Sequence, residues 1–392
     1  MNTNLTDTTS SQINAALVRT RRAAGFPAVG MVLTLVIVTD EGNHYDALRA
    51  ASDASKEHPS RILVVIRRPG RSPRARARAQ LDAEVRMGGE TGTGETVLLR
   101  LHGELAAHAY SVVLPLLLPD APVVVWWPED APVNPAEDLL GTLAQRRITD
   151  AAASEDPVAA LETRAKSYAP GDTDLAWTRV TPWRSVLAAA LDQKHGPISE
   201  AVVEGEAYNP STELLALWLA ARLGVPVDRV VSEGPGITAV RLGTPEGQIC
   251  LDRPDERLAE LAVPGQPDRH VALHRRTTAE LIAEELRRLD PDETYQEALC
   301  FGLDRLGPAA SAPGTGSQTG SGDTQTGAGT PTGTGSRTGS GDTQSESGAG
   351  GQERVESRAE LSAESSGKSG AAGSGRAKSA GAAGRGRKEA GS

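Results

Sequence analysis

The sequence predicts an α/β N-terminal domain, mostly parallel sheet with flanking helices, followed by an α+β C-terminal domain and a disordered C-terminal tail. Three observations predict this. MVLTLVIVTD (31–40), RILVVIR (61–67) and APVVVWW (121–127) are near-continuous β-branched and leucine runs, the pattern of strands buried on both faces. Helix-period segments separate them, which makes parallel βαβ pairing the expectation. After about residue 198, short strands follow one another through tight turns, with helices before and after, and from Pro308 apolar residues almost vanish.

Element by element, Asp7–Ser11 offers helix caps, and Ile13, Leu17 and Val18 recur at helical spacing to Ala24. Strand 31–40 leads to a helix over 43–57, stopped by HPS at 58–60, and to strand 61–67. LDAEVRM (81–87) alternates as a half-exposed strand, and ETVLLRL (95–101) is the next strand. A helix is expected over 102–114, then strand 121–127, a short strand or loop at 146–152, and a helix over 157–167. APGDTD (169–174) breaks both periods and marks the boundary, giving domains of 1–170 and 171–307, with the tail over 308–392.

In the second domain, Thr181 and Pro182 are read as cap and first position of a helix over 181–192. A strand at 198–206 precedes a helix over 211–224, capped by Ser211 or Thr212 and ended by Gly224. Strands follow at 228–232, 236–242, 246–251 and 269–274. Thr278 caps a helix from 279 to 289, and a last helix covers 292–303.

The chain carries 41 basic and 51 acidic residues, a net charge of −10. From 308 onward there are 9 basic and 8 acidic residues, so the tail is +1 and the rest −11. An acidic body argues against nonspecific nucleic-acid binding. The longest apolar run is cut by Pro115, Pro119, Asp120 and Pro122, so no membrane-spanning helix is expected. The start, MNTNLTDTTSSQ, lacks the charged and apolar regions of a signal peptide. A cytoplasmic protein is the expectation. The tail is Gly-, Ser- and Thr-rich, repeats TGSGDTQ at 319–325 and 338–344, and cannot bury enough apolar surface to order itself.

No catalytic signature is legible. Gly92-Thr93-Gly94 precedes a strand rather than opening a helix, and neither a phosphate loop nor a GxSxG elbow occurs. His270 and His274 are four apart, but on a strand-like segment without the glutamate of a zinc helix. Cys250 and Cys300 read as buried inert thiols. Neither metal nor cofactor is expected.

The remaining candidates are binding residues. Trp126 and Trp127 end a strand, so their rings point to opposite faces. One is core, and the other is a candidate interface anchor. Arg74, Arg76 and Arg78 crown an Arg-rich stretch beginning at Arg67, either a solvated loop or a dock for an acidic surface or a phosphate. Arg146 and Arg147 suit a bidentate carboxylate or phosphate, or a structural ion pair.

Several blocks together resemble the OpcA family of bacterial glucose-6-phosphate dehydrogenase assembly proteins. They are MVLTLVIVTD (31–40), ASKEHPSRILVV (54–65), HAYSVVLPLLLPDAPVVVWWP (108–128), LAQRRITDA (143–151), GDTDLAWTRVTPWRSVLAAALD (171–192) and STELLALWLAARLGVPV (211–227). The resemblance implies a noncatalytic partner that binds glucose-6-phosphate dehydrogenase, favours its active oligomer and supports NADPH production. Thiol control is associated with some members; here Ser60 follows His58-Pro59 and only Cys250 and Cys300 remain, so redox control is not expected. The competing reading is a sugar-phosphate or nucleotide-binding protein. Its site would lie near Thr39-Asp40 and Trp126-Trp127, with Arg146 and Arg147 on the phosphate.

Overall fold

The computed structural model describes residues 2–25, 30–88, 94–255, 257–302 and the backbone of 310–311. The expected disorder from 308 onward therefore falls outside the described residues, apart from Ala310–Ser311.

The first sheet is built from β1 (Asn2–Leu5), β2 (Leu33–Thr39), β3 (Ser60–Arg68), β4 (Gln80–Met87), β5 (Glu95–His102), β6 (Val123–Trp126), β7 (Arg146–Thr149) and β8 (Asp172–Asp174). Their order across the sheet is β1-β4-β5-β3-β2-β6-β7-β8. β5, β3, β2, β6, β7 and β8 run parallel, with Leu35 beside Ile62 on one side and Val124 on the other. β4 and β1 close one edge antiparallel. The chain winds outward from β2 in one direction and then from β6 in the other, so the order reverses between those two strands.

Alternation along the strands sends successive side chains to opposite faces. Leu35, Ile37, Ile62, Val64, Val124 and Trp126 pack under α2 (His44–Ala54) and α8 (Thr278–Arg287). Val36, Val38, Leu63, Val65, Val125 and Trp127 pack on the other face with α1 (Ser10–Ala24) and the segment around α4 (Ala109–Val113). Thr9 closes α1 with a capping box to Gln12. The helix expected over 102–114 is instead a 3-10 turn (Gly103–His108), α4 and a second 3-10 turn (Leu114–Leu116). Gly103 at φ +62° starts it irregularly, and Pro115 cannot donate to continue an α-helix.

The second sheet comprises β9 (Glu200–Gly205), β10 (Val227–Val231), β11 (Ile237–Thr244), β12 (Gly247–Asp252), β13 (Leu258–Ala262), β14 (Arg269–Ala272) and β15 (Ala310–Ser311), in the order β14-β13-β12-β11-β9-β10-β15. It is largely antiparallel, but α7 (Pro210–Leu223) carries β9 across to a parallel β10. Its core is shared with α6 (Leu175–Leu191) and α9 (Glu293–Phe301), and Leu161 of α5 (Pro157–Ser167) enters it.

Three helix starts differ from expectation; in α8 the cap is Thr277, one residue before the expected Thr278, in a capping box with Glu280. α6 begins at Leu175 under an Asp174 cap, so Pro182 lies inside it. A proline removes the hydrogen bond to the carbonyl four residues back. Here that is the Thr178 carbonyl, which accepts from Arg276 Nη2 instead. α7 is capped by Asn209, whose Oδ1 accepts from Ser211 N at 2.9 Å, with Pro210 at the first position; Gly224 at φ +65° ends it. Segment 172–174, read from sequence as part of the break between domains, completes the first sheet as β8.

Candidate functional site

In an open parallel sheet, ligands favour the carboxyl ends of the strands where the order reverses. Here that place lies beyond β2 and β6. The turn from β2 into α2 presents backbone amides to an anion, but the chain supplies its own. Asp40 Oδ1 accepts from Gly42 N at 2.8 Å and Asn43 N at 3.0 Å. Across the gap, Asn43 Nδ2 donates to Glu129 Oε2 at 2.5 Å. Burial, and then the charge of Asp40, raises the Glu129 carboxyl above its ordinary range. A pyrophosphate would meet two carboxylates here, so the crevice is unsuited to a dinucleotide. The small-molecule reading at Thr39-Asp40 finds no support in this geometry.

Beside this crevice, past the ends of β2, β3 and β5, the charge changes sign. Arg67, Arg68, Arg71, Arg74, Arg78 and His102 outnumber Asp40 and Glu41 around an open cavity of about 810 Å³. Arg68 Nε donates to Glu41 Oε2 at 2.8 Å. Burial alone would raise the Glu41 carboxyl, yet the Arg68 bond and charge, with Arg100 behind, hold it below its usual range. Arg71, Arg74, Arg76 and Arg78 are exposed. Their loop is shaped rather than loose. Ser72 caps the short turn of α3 (Pro73–Arg76), accepting from Ala75 N at 3.2 Å. Gly103 supports it from below: a Cβ there would lie 1.9 Å from the Arg78 carbonyl oxygen, at a φ of +62°. Gly103→Ala is therefore expected to cost about 1–3 kcal/mol and to displace residues 72–78. The check is hydrogen exchange over that segment, which rises if Gly103 holds it and stays unchanged if it does not.

The other candidates lie inside. Trp126 is 2% and Trp127 0% exposed. Their rings do point to opposite faces, but each face is covered, so the expectation of one exposed anchor gives way to two core residues. The signal was in the sequence: a central strand of a sheet buried on both faces has no open side. Arg146 and Arg147 are also buried, at 4% and 7%. Arg146 Nε donates to Glu285 Oε2 at 2.8 Å and Nη1 to the Asp290 carbonyl at 2.9 Å. Arg147 Nη2 donates to the Pro170 carbonyl at 2.6 Å, and its Nε pairs with Asp172. Of the two readings of this pair, the structural ion pair is the one observed.

Sequence reasoning missed the acidic side of this network. Asp174 is fully buried; it accepts from Thr149 Oγ1 at 2.6 Å and from the amides of Ala151 and Ala176 at 3.0 and 2.9 Å. Burial and then the Asp150 charge raise its carboxyl above the ordinary range. Asp150 in turn takes both Arg179 nitrogens at 2.7 Å. Arg184 lies 3.7 Å from the centroid of the Trp177 ring, and burial lowers its guanidinium to about 10. These groups tie β7, β8, α6 and α8 together. The Asp-Thr-Asp run of β8 was the available signal, since adjacent carboxylates in a sheet strand need donors.

His274 Nε2 contacts Glu280 Oε1 at 3.2 Å. Among the described residues, no group of three or more His, Cys, Asp or Glu side chains could hold a metal. Cys250 is half-buried, and burial, then Asp252, raises its thiol. Cys300, expected buried, is exposed because α9 turns Tyr295, Ala298 and Leu299 inward instead.

Residues 51–166 match the family model described as the glucose-6-phosphate dehydrogenase subunit N-terminal domain, and residues 170–299 match the corresponding C-terminal domain, OpcA in both cases. A protein named as OxPP cycle protein OpcA from Synechococcus elongatus is 30% identical over 197 residues, 47% of this chain and 41% of that protein. Its namesake from Synechocystis is 28% identical over 188 residues, 44% and 37% of the two chains. The chain thus spans about two fifths of the length of these curated relatives. A solved 3-ketoreductase from Actinomadura kijaniata, in complex with TDP-benzene and NADP, aligns with 70% of this chain and 96% of its own at 12% identity and a TM-score of 0.40, a likeness too weak to carry an argument.

Proposed function

We propose a function from one premise: this chain belongs to the OpcA family, whose two domains it carries in order. Its role is that of a noncatalytic partner of glucose-6-phosphate dehydrogenase in the oxidative pentose phosphate pathway, acting in the cytoplasm. It binds the dehydrogenase, favours its active oligomer and so raises NADPH supply. The ordered match to both domains carries this reading. The acidic, self-satisfied crevice between β2 and β6 agrees with it, since it leaves no seat there for a dinucleotide. An activator of this kind needs a surface that binds one state of its target better than the others, not a reactive group.

The exposed Arg71, Arg74, Arg76 and Arg78 supply the docking surface in this proposal. A basic patch on a chain of net charge −10 orients a partner through an acidic region of that partner. The triple change Arg74→Glu, Arg76→Glu and Arg78→Glu is expected to slow association with the dehydrogenase about tenfold or more at low salt and to flatten its salt dependence. Stopped-flow association across ionic strengths reads this, and an unchanged rate assigns the loop to solvent.

The test of the function itself is a rate assay of glucose-6-phosphate dehydrogenase from the same organism, titrated with the full chain and followed by size exclusion. A saturable rise in rate with co-elution is expected. No rise and no co-elution would overturn the proposal.

A further inference from the structure

A second basic cavity lies in the C-terminal half, far in sequence from the Arg-rich loop. It encloses about 260 Å³ where Asn209 at the start of α7, Gly236 before β11, Arg253 after β12 and Leu273–Arg276 after β14 come together, with Trp183 of α6 among its walls. Its organising point is Gly236, at φ +66°. From the position that a Cβ on Gly236 would take, Arg275 Nη2 is 3.3 Å away, Arg253 Nη2 3.7 Å and Asn209 Nδ2 3.8 Å. Three nitrogen donors from three separate segments thus converge on one small volume that only a residue without a side chain leaves open.

The two guanidinium groups are oriented by the backbone. Arg253 Nη2 donates to the Ile237 carbonyl at 2.5 Å, and its Cζ lies 5.1 Å from the centroid of the Trp183 ring. Arg275 Nη2 donates to the Pro235 carbonyl. A guanidinium has five N–H donors, so one carbonyl does not exhaust Arg275. The other two arginines of the wall serve elsewhere: Arg179 holds Asp150, and Arg276 holds Glu284 and the Thr178 carbonyl. The one carboxylate of the lining, Glu206, is exposed and accepts from Gly236 N at 3.1 Å. The amino end of the 14-residue α7 adds its positive dipole.

We propose that this cavity binds the phosphate group of a small phosphomonoester. Donors approaching from several directions suit a tetrahedral oxyanion better than a planar carboxylate. The volume lies below the roughly 300–1,000 Å³ of sites for drug-sized ligands, which favours a sugar-phosphate-sized molecule over a dinucleotide. Trp183 and Leu273 give its carbon skeleton an apolar wall. The site is distinct from the Thr39-Asp40 crevice, and the inference does not rest on the dehydrogenase.

Isothermal titration of the full chain with inorganic phosphate and with glucose 6-phosphate tests it, with glucose and with sodium chloride at matched ionic strength as controls. Saturable binding of glucose 6-phosphate is expected, with a dissociation constant below about 1 mM, and none of glucose. Arg275 is exposed, so Arg275→Ala is expected to leave the melting temperature unchanged while weakening binding at least tenfold. Gly236→Asn, a residue that tolerates positive φ better than most, places a side chain where the donors converge, its Cβ 3.3 Å from Arg275 Nη2, and is expected to weaken binding at least tenfold with a small loss of melting temperature. Absence of saturable binding by the unaltered chain would overturn the proposal. So would binding that survives both substitutions undiminished, or that sodium chloride suppresses as well as phosphate does.

Discussion

Trp127→Ala is expected to destabilise the protein by about 3–5 kcal/mol, the range for truncating a buried aromatic residue in a packed core. Trp127 is fully buried in the same core cluster as Val36, Val125, Leu140 and residues of the α4 segment, so truncating it removes the buried surface of an indole and leaves a cavity. Trp126→Ala is expected to cost a similar amount through the opposite core, where Trp126 lies among residues of α2 and α8. Thermal unfolding checks both. At about 2–4 °C per kcal/mol for a domain of 150–250 residues, either loss is large against experimental error. Binding to the dehydrogenase, the partner proposed above, measured well below each midpoint, is expected to stay intact. A variant with an unchanged midpoint but weakened binding would return that tryptophan to the interface.

Glu285→Ala is expected to cost about 3–5 kcal/mol for a different reason. Glu285 is 4% exposed, and its two oxygens are shared between Arg146 and Thr178, which donates from Oγ1 at 2.6 Å. Removing the carboxylate strands the Arg146 guanidinium, itself 4% exposed, without a counter-charge. Breaking one side of a buried pair is far more damaging than replacing both sides by apolar groups of similar size. The double change Arg146→Met with Glu285→Leu is therefore expected to recover most of the loss. Urea unfolding of both singles and the double gives the coupling directly. If the double is as unstable as Glu285→Ala, the buried-charge account fails. The pair also holds α8 against β7, so Glu285→Ala is expected to raise hydrogen exchange in α8 before global unfolding.

Much of the fold was legible because its signals are local. The β-branched runs of β2, β3 and β6, the alternation of β4, the Pro157–Ser167 helix and the Gly224 stop each follow from neighbouring residues. Errors arose where a distant group satisfies what a local rule says is missing. Pro182 reads as a helix start because its interior cost is visible in sequence, whereas the Arg276 side chain that occupies the freed Thr178 carbonyl is not. Asp172–Asp174 reads as a break because three polar residues make a poor strand, until Arg147 and Thr149 are placed beside them. Of the candidate site, only Arg74, Arg76 and Arg78 remain at the surface.

By itself the sequence determined the two kinds of sheet, the family blocks and the acidic balance, because periodicity, composition and charge are properties of neighbours along a chain. Only the tertiary structure decided which charges face water. It buried Trp126, Trp127, Arg146 and Arg147 by covering both faces of the first sheet, one of them with α8, which follows β14 of the second sheet in sequence. It also brought Asn209, Arg253 and Arg275 to one point above Gly236. Burial and convergence depend on which segments pack together, and segments separated by dozens of residues carry no local trace of one another.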